Sequence, residues 1–144
     1  MPTRLISEVI EGQQILTCSA DSGVREICRR MTERRVGAVM VVDDQGKLRG
    51  IFTERDALGR VLAAGRDPDT TTVGEVMTPD PLYVSAQRAL GHALHLMYDN
   101  GFRHVPVVEG GRPLGMVSAR DALGAELCAF EDELERREQI TELL

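Results

Sequence analysis

Aromatic residues are nearly missing from this chain of 144 residues: no tryptophan, two tyrosines and three phenylalanines. So few rings leave little on which to stack nucleic-acid bases, and no broad basic face compensates. The net charge is −6, and beyond residue 125 seven acids face only Arg136 and Arg137, which leaves the rest of the chain close to neutral. Binding along a phosphate backbone is therefore not expected. Cysteine is scarce as well. Cys18, Cys28 and Cys128 are an odd number without CxxC spacing, so neither a disulfide framework nor a zinc site is indicated. Long apolar runs are absent: bursts such as Val39 to Val42 fall far short of the roughly 18 residues a membrane span needs. Met1-Pro2-Thr3-Arg4 leads into no signal-like stretch, and the expectation is a cytoplasmic protein away from membranes.

What is present is a repeat. "GIFTERDALG" at residues 50–59 returns as "GMVSARDALG" at 115–124, an offset of 65. Upstream, Ser19-Ala20 matches Ser85-Ala86 and Met31 matches Met97 at an offset of 66, so one residue is missing from a turn between them, where a deletion costs least. In the first unit Leu16 to Cys18 is a strand candidate, and Val24, Ile27, Cys28 and Met31 form a buried helix stripe. Val36 to Asp43 and Leu48 to Phe52 read as a hairpin about Asp44-Gln45-Gly46, followed by a helix carrying Leu58, Val61 and Leu62 inward and ending near Gly65. The second unit repeats the order with Leu82 to Val84, a helix stripe of Leu90, Ala93, Leu94 and Met97, strands at Val105 to Val108 and Leu114 to Val117, and a last helix from about Ala119. The chain thus divides into a first unit at 5–65, a linker at 66–81 with a capping-box pattern at Thr72 to Glu75, a second unit at 82–125 and an acidic helix at 126–144. The fold class is α/β (α+β), two tandem units of strand-helix-strand-strand-helix.

Thr53-x-x-Asp56 and Ser118-x-x-Asp121 each stand where a strand meets a helix. Alone, each reads as a capping box stabilising the helix by roughly 1 kcal/mol. Three features add a second reading. Both copies use Asp where Glu or Gln is usual, both have a glycine three residues before the hydroxyl (Gly50, Gly115), and both place an arginine (Arg55, Arg120) before the acid. Hydroxyl, helix N–H groups, carboxylate and guanidinium at one corner suit a phosphorylated ribose.

The repeated unit, the two Gly-x-x-Thr/Ser-x-x-Asp corners, "FRHVPVV" at 102–108 and "VGEVMTPDPLYVSA" at 73–86 resemble a pair of CBS domains, over roughly Leu5 to Ala125. The resemblance implies two units packed by their sheets about a pseudo-twofold axis, with two clefts between them. It implies a stand-alone, non-enzymatic regulatory module that binds AMP, ADP, ATP, NAD(H) or S-adenosylmethionine, requires no cofactor and forms homodimers. Thr53 and Asp56 would hold ribose and phosphate in one cleft, Ser118 and Asp121 in the other. By the family's crossing pattern, Arg120, Arg103 and His104 would serve the Asp56 cleft and Arg55 the Asp121 cleft, with adenine near Thr17 and Ser85. Arg103-His104 stand where the first unit has Gly37-Ala38, so the clefts differ, and on this reading the Asp56 cleft binds the phosphate-rich ligand more tightly. The alternative is a dimerisation or partner-docking scaffold whose corners are only caps.

His92 and His95 have metal-compatible spacing but no third ligand nearby in sequence, and they read as a solvated face. His104 lacks a paired nucleophile. Leu123, Leu127, Phe130 and Leu134 make a heptad-like stripe on the acidic tail, which would pack on the module itself, on a dimer mate or on a regulated protein partner.

Overall fold

Each half of the chain begins with an apolar helix stripe that needs a sheet to cover it. In the computed structural model, which describes residues 4–122 and 133–141, helix α2 (Val24–Arg34) buries Val24, Ile27 and Met31. Those side chains meet strands β1 (Thr17–Cys18), β2 (Ala38–Val42) and β3 (Leu48–Thr53) in a core centred on Phe52, Val39 and Val41. Strand β1 runs parallel to β2 with Thr17 opposite Met40, and β2 and β3 form the hairpin. The carboxylate of Asp43 closes its turn by accepting from the Gln45 and Lys47 N–H groups, and Gly46 takes the left-handed conformation the turn requires (φ 78°).

The second half repeats this with a shorter turn. Helix α5 (Leu90–Asn100) buries Leu90, Ala93 and Met97 against β5 (His104–Glu109) and β6 (Arg112–Ser118). Gly110 and Gly111 make the turn, which locates the missing residue in this hairpin. Val84 supplies a single parallel bridge to Val107 in place of the expected strand from Leu82, and Leu82 itself is exposed. The two hairpins touch: the Leu48 N–H donates to the Gly111 carbonyl at 2.8 Å.

The segments preceding each unit exchange places. Helix α1 (Ile6–Val9) opens the chain, yet Ile6 is fully buried in the second core, and the Ile6 and Ser7 N–H groups donate to Arg88 and Ala86. Burying one such side chain is worth about 1.5–3 kcal/mol, enough to hold the segment there. Conversely, helix α4 (Val73–Val76) of the linker buries Val73 and Val76 in the first core, and β4 (Thr78–Pro79) adds a fourth strand beside β3. The helix expected at Thr72 forms, but the Thr72 side chain does not cap it. The Ser22 and Ala20 carbonyls already take the Val73 and Gly74 N–H groups, and Glu75 pairs with Arg66 at 2.9 Å.

One stripe departs from expectation. After β3, helix α3 (Glu54–Asp56) continues from Ala57 to Leu62 with π winding, marked by i→i+5 bonds such as Ala63 N–H to the Leu58 carbonyl. The wider turn leaves Val61 buried and turns Leu58 and Leu62 out, 62% and 73% exposed, so only one of the three expected residues faces the core. Helix α6 (Ala119–Ala122) follows β6, and residues 133–141 form a further helix on which Leu134 and Ile140 are exposed. Leu123, Leu127, Phe130 and Cys128, and with them most of the acidic stripe, lie outside the described residues. Among the described residues no helix is long and apolar enough to cross a membrane.

Candidate functional site

Both corners form a hydroxyl-to-carboxylate clasp, and the first is a reciprocal cap. The Thr53 N–H and Oγ1–H donate to Asp56 Oδ2 at 2.9 and 3.2 Å, and the Asp56 N–H returns to Thr53 Oγ1 at 3.4 Å. At the second corner the Ser118 N–H and Oγ1-equivalent hydroxyl donate to Asp121 Oδ2 at 2.8 and 3.2 Å. The first N–H of each helix is also spent: Glu54 N–H on the Gly37 carbonyl at 3.0 Å and Ala119 N–H on the Arg103 carbonyl at 2.9 Å. Free helix N–H groups at these positions were part of the phosphate argument, so side-chain cations must carry it instead. Gly50 and Gly115 are explained within the chain. A Cβ at Gly50 would stand 3.0 Å from the Thr78 carbonyl, and one at Gly115 would stand 2.8 Å from the Gln13 side chain and from Ile10. Each glycine lets the segment leading into one unit press against an edge strand.

Beyond these caps the corners differ. Arg60 Nε lies 3.6 Å from Asp56 Oδ1, and Asp56 is buried. Four residues after Asp121 the chain has Ala125, so no cation is supplied at the matching position. Arg60 follows Asp56 by i+4 on a continuing helix, a spacing legible in the sequence at which opposite charges meet.

Two cavities open between the halves. The larger, about 840 Å³, holds Ser118, Arg120 and Asp121 at one end and Gln14, Ile15 and Leu16 along one side, with Arg35, Gly37 and Ala38 opposite. Leu16, Met31, Met40, Met116 and Cys28 give it an apolar, sulfur-rich wall. The smaller, about 350 Å³, holds Thr53, Arg55 and Asp56, with Thr78, Asp80, Pro81 and Leu82 beside them. Glu54, Arg103 and His104 line both and form the partition.

This arrangement reverses the expected crossing of the arginines. Arg120 lines the cavity of Asp121 and Arg55 that of Asp56, each with the acid of its own unit, while Arg103 and His104 reach both. The expectation that the Asp56 cleft gathers more cations is corrected accordingly: the larger cavity has Arg35, Arg103 and Arg120 against Glu54 and Asp121, the smaller Arg55 and Arg103 against Glu54, Asp56 and Asp80. Thr17 and Ser85 line neither cavity; residues one to four positions upstream of Thr17 and three to five positions upstream of Ser85 do so. Thr17 is instead in register with Met40 in the sheet, and Ser85 closes a local turn with Gln87. Arg35 was missed by sequence reasoning. It ends α2 in the left-handed conformation (φ 54°), where the equivalent residue of α5 is Gly101 (φ 72°), and a non-glycine there is uncommon.

His104 is mostly buried in the partition, and burial pushes its pKa below the ordinary 6.5, with Arg103 and Arg120 adding to the fall and Glu54 and Asp121 opposing it. His92 is half-buried and His95 exposed, and among the described residues no cluster of His, Cys, Asp or Glu could hold a metal. Burial raises the thiols too, Cys18 to about 11.

Comparison with known proteins follows the same division of the chain. The family model of the CBS domain matches residues 6–63 and again 73–127. The mitochondrial CBS domain-containing protein CBSX3 of Arabidopsis thaliana is 37% identical over 125 residues, covering 84% of this chain and 61% of its own length. The chain spans between 22% and 61% of the plant relatives it matches first. Among solved structures, the CBS-domain containing protein ATU1752 from Agrobacterium tumefaciens superposes with a TM-score of 0.77 at 29% identity, covering 85% of this chain and 98% of its own. The CBS pair of MJ0100, solved with 5′-methylthioadenosine and S-adenosyl-L-methionine, shares the fold with a TM-score of 0.77 at 23% identity, over 90% of this chain and 99% of its own. Two matched units with paired corners and a shared partition, found twice over in sequence and in fold, place the chain in the CBS-domain family.

Proposed function

We propose that this chain is a regulatory module that senses an adenosyl ligand, AMP, ADP, ATP, NAD(H) or S-adenosylmethionine, in the space between its two CBS domains. The observation that carries the reading is the 840 Å³ cavity, which joins an apolar wall to a ring of polar groups at the junction of two structural units. Its size falls within the roughly 300–1,000 Å³ of small-molecule sites. Thioethers of Met31, Met40 and Met116 suit the face of a purine. Asp121 keeps Oδ2 on its cap and has Oδ1 to accept from a ribose hydroxyl, while Arg120, Arg103 and Arg35 suit phosphate or carboxylate. MJ0100 supports the reading as a CBS pair of this fold that holds adenosyl ligands.

Two copies would pair through exposed Leu58, Leu62 and Tyr98, which are the most exposed large apolar residues of α3 and α5. Occupancy is then transmitted as a shift in the population of dimer geometries, by the ligand's differential affinity and no more. A docking scaffold is the second reading, favoured by one observation: both corners satisfy themselves as caps. Thermal unfolding of nucleotide-stripped protein with each candidate ligand separates the two. A sensor at 100 times its dissociation constant gains about 2.7 kcal/mol, a shift of several degrees. A flat panel would overturn the sensor reading in favour of the scaffold.

A further inference from the structure

We infer that the chain holds one phosphorylated adenosyl ligand, in the Asp121 cavity alone, and that Asp56 is a structural residue locked by its cap and by Arg60. The inference rests on the sensor reading above and adds to it the site that is used and the charge of the ligand.

Charge separates the cavities first. Excluding His104, among the described residues the larger has three arginines against two carboxylates, and the smaller two arginines against three carboxylates. A phosphate entering the smaller cavity meets more negative than positive side chains. The available donors differ as well. In the smaller cavity Arg55 is partly engaged, donating one of its five N–H groups to the Gly101 carbonyl at 3.1 Å. Among the described residues no side-chain hydrogen bond or ion pair engages Arg35, Arg103 or Arg120.

The acids differ in the same sense. Asp56 uses Oδ2 on Thr53 and turns Oδ1 to Arg60 at 3.6 Å, so neither oxygen is left without a protein partner. Asp121 has the same hold on Oδ2 but Ala125 where Arg60 would be. Size follows from substitutions at matching positions. Gly37, Ala38 and Ala119 line the larger cavity, and their counterparts Arg103, His104 and Glu54 make the partition that crowds the smaller one. The 350 Å³ that remain stand at the low end of small-molecule sites.

Isothermal titration of the nucleotide-stripped full chain with AMP tests this, with 5′-methylthioadenosine as the phosphate-free probe. The expected result is one AMP per chain. Arg120→Ala and Arg35→Ala, changed in the larger cavity only, weaken AMP at least about tenfold each, as loss of a charge-assisted hydrogen bond implies, and leave 5′-methylthioadenosine nearly unaffected. Arg55→Ala keeps the stoichiometry and affinity of the parent. All three arginines are exposed, so these variants remain informative even where an aspartate variant fails to fold. Two AMP per chain, or one that is lost with Arg55→Ala and kept with Arg120→Ala, would overturn the assignment while the sensor reading stands. Binding of 5′-methylthioadenosine without AMP would overturn the phosphate class. No heat with either probe, together with a flat thermal panel, would overturn the sensor reading and this inference with it.

Discussion

Adding one methyl group at Gly50 is the sharpest test of how the leading segments are held. An alanine Cβ there would stand 3.0 Å from the Thr78 carbonyl oxygen and against the Met77 side chain. The methionine can turn aside, but the carbonyl cannot: Thr78 is in register with Ile51, and Pro79 with Gly50 itself, so retreat loosens the β3–β4 pairing. At Gly115 the added carbon meets Ile10 and Gln13 at 2.8 Å, and Gln13 is clasped to the Met116 backbone through two hydrogen bonds of 3.0 and 2.7 Å. Overpacking of this kind costs about 1–3 kcal/mol, and for a chain of this length each kcal/mol lowers Tm by about 2–4 °C. Gly50→Ala and Gly115→Ala are therefore each expected to melt about 2–12 °C below the parent by circular dichroism. Gly59→Ala is the control. Nothing lies within 4 Å of a Cβ there, and an alanine inside a helix gains about 0.5–1 kcal/mol over glycine, so its Tm rises. Parent-like melting of both Gly50→Ala and Gly115→Ala would refute the claim that these glycines exist for the chain's own close approach.

Removing the buried cap with Asp56→Ala is expected to cost about 1–2 kcal/mol in chemical denaturation, and Arg60→Ala, whose side chain is half exposed, clearly less. The depressed pKa of His104 means the folded chain holds that proton less tightly than the unfolded one. Stability is whole above the ordinary value of 6.5 and is lost as pH falls from there through the folded pKa, so Tm should drop between pH 7 and 5 more steeply in the parent than in His104→Gln. With a pKa near 11, Cys18 should resist alkylation at pH 8, whereas half-buried Cys28 should react slowly and be protected by AMP, because it lines the larger cavity.

Periodicity located most of the fold because most of it is local. Val24, Ile27 and Met31 fall on one helix face, and Asp43 with Gly46 closes a hairpin, whatever the rest of the chain does. Leu58 and Leu62 defeated the same reasoning, since a π-wound helix abandons the 3.6-residue period that put them inward. The Thr72 capping box failed for another nonlocal reason: carbonyls fifty residues upstream had already taken the helix N–H groups. At the site, the two corners and two residues of the partition, Arg103 and His104, were legible in the sequence, whereas Glu54 was not. Which cavity each arginine enters depends on how two units are placed against each other, and no spacing within either unit encodes that. Gly115 is the clearest lesson, because its requirement for closeness was legible, while its neighbour, Gln13, is 102 residues away.

The repeat also explains how one chain can carry two unequal clefts on two similar cores. Where matched residues face the cores they are kept or replaced by another apolar group: Val39 and Val105, Val41 and Val107, and Met31 and Met97 are identical, and Phe52 is matched by Val117, all buried. Where they face the clefts they exchange size and charge: Gly37 for Arg103, Ala38 for His104 and Glu54 for Ala119. A symmetric pair would have two cavities with one lining, and any ligand suited to one would suit both. Because each of these substitutions falls on one half only, the chain has one partition of Glu54, Arg103 and His104 that lines both cavities, while the small counterparts Gly37, Ala38 and Ala119 line the larger cavity alone. Most of them lie at exposed or half-buried positions, where substitutions usually shift stability by less than about 0.5 kcal/mol. The two corners can therefore share the hydrogen bonds from the Thr53 and Ser118 N–H and hydroxyl to their carboxylates while the cavities above them diverge in volume and in sign.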